Sequence, residues 1–180
     1  MGQEKIPNKV MLIITSFSKD EEVLNFFEKE AQKKFGKIIL KSPLFDFNET
    51  RFYEKEMGSD LKLQILGFEK LIAPEKIAKI KHYTNKLEKK IHNKYKNKHG
   101  EISRIINLDP GYISLIKFVL ATTKDAGHRI YIGNKIYGEA TLSYENKSWK
   151  EHSYTYANYK NKEYQEFLTK LREEYKKLIK

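Results

Sequence analysis

Apolar and polar residues change their spacing along the chain, and the changes mark out strands and helices in turn. Residues 9–17 (KVMLIITSF) are a continuous apolar run of strand length, the pattern of a strand covered on both faces. Ser18 or Asp20 then caps a helix over residues 21–35, where Val23, Leu24, Phe27, Ala31 and Phe35 recur at helical spacing and Gly36 supplies the stop. Residues 37–40 begin a second strand, limited by Pro43. Residues 45–57 have no clean period and read as a loop with one turn of helix, whereas residues 61–66 alternate with Leu61, Leu63 and Ile65 on one face of a strand. Pro74 opens a long helix to about residue 94, with Ile77, Ile80, Leu87 and Ile91 as its stripe, and a lysine-rich exit (KYKNKHG) follows as a mobile segment.

The second half begins with a strand over residues 102–108. Asp109-Pro110-Gly111 suits a turn or a helix start, with Asp as cap and Pro in the first position, and residues 112–122 are apolar almost all round, so a buried helix is expected there. A hairpin spans residues 128–144, an aromatic-rich connection residues 149–159, and an amphipathic helix residues 163–179, with Phe167, Leu168, Leu171, Tyr175 and Leu178 inward. The order strand–helix–strand–strand–helix–strand predicts an α+β fold: one domain over residues 1–180 with a ferredoxin-like split β-α-β core, an added β-hairpin and a C-terminal helix.

Composition narrows the chemistry. The 180 residues contain no cysteine, which excludes disulfides, thiolate nucleophiles and cysteine-held metal sites. No cofactor motif is present, and no histidine–carboxylate spacing points to a metal. The apolar run at residues 10–14 is too short for a signal peptide or a membrane span, so a cytoplasmic protein with no membrane partner is expected. The net charge of +11 invites nucleic acid as a partner. Nearly all of that charge is lysine, accompanied by much Asn and Ile, and the only arginines are Arg51, Arg104, Arg129 and Arg172. Phosphate readers favour the arginine fork, so the charge reads as compositional before it reads as functional.

The hairpin carries the most specific expectation. A three-residue connection, Gly133-Asn134-Lys135, pairs Ile132 with Ile136. In that register Ile130, Ile132, Ile136, Ala140 and Leu142 share an apolar face, and Arg129, Tyr131, Tyr137, Glu139 and Thr141 share the other. Arg129 then lies opposite Glu139, and Tyr131 opposite Tyr137. This is either a ligand-facing surface or an ordinary cross-strand ion pair beside an aromatic pair. Just before it, Lys124-Asp125-Ala126-Gly127-His128 gathers charges and an imidazole around a glycine. Such a loop can wrap an anion, or it can be a solvated turn.

The remaining candidates have plainer alternatives. Asp109, with Tyr112 close behind it, is a helix cap or a ligand contact at a strand end. Glu54 and Glu56 are a weak carboxylate pair. Residues 149–164 interleave tyrosines with lysines, as in a stacking platform for single-stranded nucleic acid or a loop anchored by its rings.

The segments YEKEMG (53–58), FEKL (68–71), TNKLE (84–88), NLDPGY (107–112), ATTKD (121–125) and HRIYI (128–132) occur together in this order. That set resembles the bacterial family called domain of unknown function 4416, across nearly the whole chain. The family implies no established activity. Some members carry a label of GTP-binding protein, yet this chain has no G-x-x-x-x-G-K-[ST] loop, and Thr123-Lys124-Asp125 lacks the spacer of a guanine-reading motif.

Two functions from different classes follow. The first is a site for an anionic small molecule, a nucleotide or a phosphorylated metabolite. There Arg129 and Lys124 clamp the anion, Asp125, Tyr131, Asp109 and Tyr112 contribute contacts, and Glu139 or His128 serves as general base if a reaction occurs. The second is an RNA- or DNA-binding module using a basic, tyrosine-rich surface.

Overall fold

The computed structural model describes residues 2–47, 53–100 and 102–180. Strand β1 (Met11–Ser18) is buried at every position, as an apolar run of strand length requires when both faces are covered. Helix α1 (Glu21–Phe35) starts where the Asp20 carboxylate accepts from the Glu22 N–H, and ends at Gly36, whose φ of 93° lies in the region that favours glycine. Strands β2 (Ile38–Lys41), β3 (Phe45–Asp46) and β4 (Lys62–Phe68) follow, with a short helix α2 (Glu54–Met57) before β4. A 3₁₀ turn at Pro74–Lys76 leads into α3 (Ile77–His99). Residues 94–99, expected as a mobile exit, are the last turns of this helix, because Tyr95 packs against Phe26 of α1 and is itself buried.

The second half departs from the sequence reading. No helix covers residues 112–122. Instead β5 (Asn107–Ile113) and β6 (Lys117–Thr122) form a hairpin, and Asp109-Pro110-Gly111 lies inside β5. An all-round apolar run is equally the signature of a buried strand, and burial between two helical layers decided the matter here. Strands β7 (Ile130–Tyr131), β8 (Tyr137–Glu145) and β9 (Ser148–Glu151) and helices α4 (Ala157–Lys160) and α5 (Lys162–Leu178) complete the chain.

The strands form one antiparallel sheet in the order β2-β4-β1-β5-β6-β8-β7, with β3 beside β4 and β9 beside β8. Alternation along β1 divides the core. Leu12 and Ile14 pack under α1 and α3, and Met11, Ile13 and Phe17 pack under α5. The result is an α/β/α sandwich. Helix α5 inserts Phe167, Leu168, Leu171 and Tyr175 as expected, while Leu178, its last residue, stays exposed.

The expected hairpin register is present. Ile132 and Ile136 are bonded across the loop, and Tyr131 pairs with Tyr137. The burial assigned to its apolar face is different. Ile136 and Leu142 are buried, but in opposite core layers and not on one shared face, because a bulge shifts the pairing of β8 with β6 between Ala140 and Leu142. Ile130 is 74 % exposed and Ile132 also faces solvent, on or beside the two-residue edge strand β7. Glu139 and Thr141, expected on the polar face, are buried.

The two halves of the sheet meet at only three pairs, Gly111–Leu120, Tyr112–Val119 and Ile113–Phe118. Beyond them β5 continues along β1 down to Asn107 and β6 continues along β8 up to Thr122, but not along each other. The pairing stops beside Pro110, which turns toward β6 the edge where its missing N–H would have continued the ladder. At Gly111 the backbones approach so closely that a Cβ would overlap the carbonyl oxygen of Val119. Replacing Gly111 with alanine is therefore expected to destabilise the fold by about 2–3 kcal/mol through overpacking. For a chain of this size that lowers the unfolding midpoint by roughly 4–12 °C. Thermal unfolding followed by circular dichroism checks this, and an unchanged midpoint would refute the close-approach argument.

Candidate functional site

Where β5 and β6 part, the sheet opens into a cavity of about 810 Å³. One wall is β5 with α3 behind it. Leu108 has no strand partner on this side, yet its backbone groups are buried and must be satisfied. Side chains from α3 replace the strand: Lys81 Nζ donates to the Leu108 carbonyl (2.9 Å), and the Leu108 N–H donates to Glu88 Oε1 (2.7 Å). Lys81 also donates to Asp109 Oδ1 (3.1 Å), and Asn107 Nδ2 donates to Asp109 Oδ2 (2.6 Å). Arg104 donates to both oxygens of Glu88 and to Asn107 Oδ1. The outer end of this network is Glu56, whose carboxylate is 3.8 Å from Arg104. Burial is the largest influence on Glu88 and raises its pKa, with Arg104 and Lys81 opposing the shift.

The facing wall is the end of β8 and the loop before β7. Glu139 Oε2 accepts from Arg129 Nε (2.9 Å) and lies 3.0 Å from His128 Nε2, while Thr141 donates to Oε1 (3.2 Å). Arg129 donates further to the Lys124 carbonyl (3.1 Å) and to the Tyr156 hydroxyl (2.6 Å). The Arg129 and Glu139 side chains are 7 % and 2 % exposed, so this is a buried ion pair. Burial opposes the charge of Arg129, but its hydrogen bonds to Glu139 and Tyr156 raise its pKa overall.

The roof comes from the tyrosine-rich segment after β9 and from an aromatic cluster. Tyr159 is fully buried and donates to Thr15 Oγ1 (3.0 Å), which ties α4 onto the centre of the sheet. Phe17 stacks on Phe47 (4.6 Å between centroids), and Tyr53 meets Phe17 edge-on. Burial pushes the phenols of Tyr53 and Tyr159 up, with Asp109 the next cause in both.

Of the residues expected from the sequence, Arg129, Glu139, Lys124 and Asp109 line the cavity. Asp109 lies within a strand and is held by Lys81 and Asn107, so its capping role is replaced by a side-chain network. His128 sits behind Glu139, its ring stacked on Tyr154 (4.2 Å). Three residues are elsewhere. Asp125 is exposed, and its charge is the largest cause of the raised pKa of the Tyr137 phenol. Tyr131 is exposed on the edge strand against Tyr137 (5.6 Å). Tyr112 packs into the layer under α1 and α3.

Lys81, Glu88, Arg104 and Asn107 were not singled out as site residues from the sequence. Two signals were available. Lys81 falls on the apolar stripe of α3, four residues after Ile77, where a charge needs a buried partner. Arg104 and Arg129 are two of only four arginines in a lysine-rich chain.

Among the described residues, no group of three or more histidine and carboxylate side chains is placed to hold a metal, and no helix is long and apolar enough to cross a membrane.

The raised pKa of Glu88 has a definite sign. The folded protein holds that proton more tightly than the unfolded chain does. Its contribution to stability is full below the ordinary value of 4.5 and is lost as pH rises through the raised value. Glu88→Gln should remove this loss, so the difference between wild-type and variant stability becomes less favourable to the wild type across that window. Urea unfolding at a series of pH values measures it, and a difference independent of pH would contradict the assignment.

Neither a curated protein nor a solved structure matches this chain. The motifs spread from Tyr53 to Ile132 find their counterpart in a family model. The model described as Domain of unknown function (DUF4416) matches residues 8–175, and the chain belongs to that family.

Proposed function

We propose that the fork between β5 and β6 is the binding site of an anionic small molecule, a nucleotide or a phosphorylated metabolite, in a cytosolic protein. One observation carries the reading. The cavity has the size of a small-molecule site, and five cations border it (Lys81, Lys89, Arg104, Lys124 and Arg129) against three carboxylates (Glu88, Asp109 and Glu139). Buried charges in a cleft are costly to fold around and cluster at functional sites. Glu139 and Asp109 are the carboxylates placed to take a proton from a bound ligand, and His128 backs Glu139. We further read the strand order β5-β1-β4-β2, with α1 and α3 on one face, as a ferredoxin-like split β-α-β core. The ligand site then lies where the added strands leave it.

The alternative, a nucleic-acid module, draws on the net charge. Several lysines that would serve it are bonded to carboxylates of the same surface, such as Lys90 to Glu30, Lys41 to Glu28 and Lys98 to Glu22. That local neutralisation favours the cleft.

Differential scanning fluorimetry against nucleotides and sugar phosphates tests the proposal. A ligand present at a hundred times its Kd should stabilise the protein by about 2.7 kcal/mol. Lys124→Ala and Lys89→Ala, at the rim, should weaken binding roughly three- to tenfold while leaving the unliganded midpoint within about 2 °C. No shift with any phosphorylated compound at millimolar concentration would sink the proposal. A short single strand that outcompetes every mononucleotide, with a steep salt dependence, would favour the alternative.

A further inference from the structure

The stretch from the end of β9 into the first turn of α5 contains four tyrosines, and three of them are used up by the fold. Tyr154 is stacked between His128 and His152, Tyr159 is fully buried with its hydroxyl on Thr15, and Tyr164 is packed against Phe45. Tyr156 is different. The residue is 47 % exposed, and it borders the cavity.

Mobility does not explain that exposure. The backbone is pinned on both sides of it. Thr155 Oγ1 donates to the Thr141 carbonyl (2.7 Å), and Tyr159 is anchored three residues later. The hydroxyl of Tyr156 accepts from Arg129 Nη2 at 2.6 Å, and the guanidinium carbon is 5.9 Å from the ring centroid. The edge of the ring is therefore held by the buried Arg129–Glu139 pair. Ala157, the next residue, also lines the cavity with a small side chain. A pre-positioned, half-open aromatic ring beside a cationic cleft is a stacking surface for a planar, electron-poor ring.

We propose that Tyr156 is the stacking platform of the cleft, and that the ligand is a planar ring joined to an anionic group, as in a nucleoside phosphate, rather than a ring-less phosphorylated metabolite. This rests on the reading of the cleft as an anion site and narrows its ligand class. Tyr156 sorts ligands by the ring, and the cations hold the charge.

The experiment compares adenosine monophosphate with ribose phosphate and inorganic pyrophosphate, by calorimetry, on the wild type and on Tyr156→Phe and Tyr156→Leu. The wild type should bind adenosine monophosphate roughly ten- to hundredfold more tightly than ribose phosphate. Tyr156→Leu should lose most of that preference, and Tyr156→Phe should keep the ring and stay within about threefold of wild type. Binding of pyrophosphate should be the same in all three proteins. If ribose phosphate binds as tightly as the nucleotide, or if Tyr156→Leu weakens ring-bearing and ring-less ligands equally, the platform is refuted and the anion site stands. If none of the three probes binds the wild type, the platform is refuted, and the anion site falls with it when no other phosphorylated compound shifts the melting point. Far-ultraviolet circular dichroism and the unliganded melting point of each variant separate loss of stacking from loss of fold.

Discussion

The structure depends on one interrupted ladder. Strands β5 and β6 pair through three residues and then diverge, leaving the backbone of Leu108, paired with β1 on one side, without a strand neighbour on the other. A buried N–H and C=O cannot be left unpaired without a cost of a few kcal/mol. The chain answers with Glu88 and Lys81, carried in from α3 at a spacing of seven residues, two turns of one helix face. These two side chains bring charge to a place where apolar residues would otherwise lie. Asp109, Asn107 and Arg104 then follow as the partners that such charges require.

The second wall follows the same logic from the other side. Glu139 sits on β8 where the absent pairing leaves space above β6. Once buried it needs Arg129, His128 and Thr141 to satisfy its oxygens. Arg129 in turn fixes the loop through the Lys124 carbonyl and the roof through Tyr156. Each network is locally neutralised, and each presents polar groups to the same cavity. A fork lined by two buried polar networks would be a poor way to stabilise a fold, since apolar packing of similar volume does as well or better. That imbalance is the physical reason to regard the cleft as a site.

The roof is held to the sheet by several of its rings at once. Tyr154, Tyr159 and Tyr164 hold the connection to the sheet, and the anchoring role considered for the tyrosine-rich stretch is what their contacts display. Trp149 belongs to the same scheme, its indole N–H donating to Thr169 of α5. With so many anchors, one ring can stay open without loosening the loop.

Local physics was legible in the amino-acid order. The helical period and caps defined α1, and the amphipathic stripe defined α5. The turn chemistry of Gly133-Asn134-Lys135 set the pairing of Tyr131 with Tyr137, and Arg129 meets Glu139 beside it. Each of these depends on neighbours within a few residues. What could not be read locally was decided by contacts distant in the chain. Residues 112–122 became strands because a covered sheet position accepts an all-apolar run as readily as a helix does. Ile130 and Ile132 stayed exposed because they lie on or beside the edge strand β7. The cavity exists only because α3, β5 and β8 meet around a gap. Lys81, Glu88 and Arg104 therefore took their roles from the tertiary arrangement, since the stretch of backbone they satisfy becomes unpaired only when β5 and β6 fail to close.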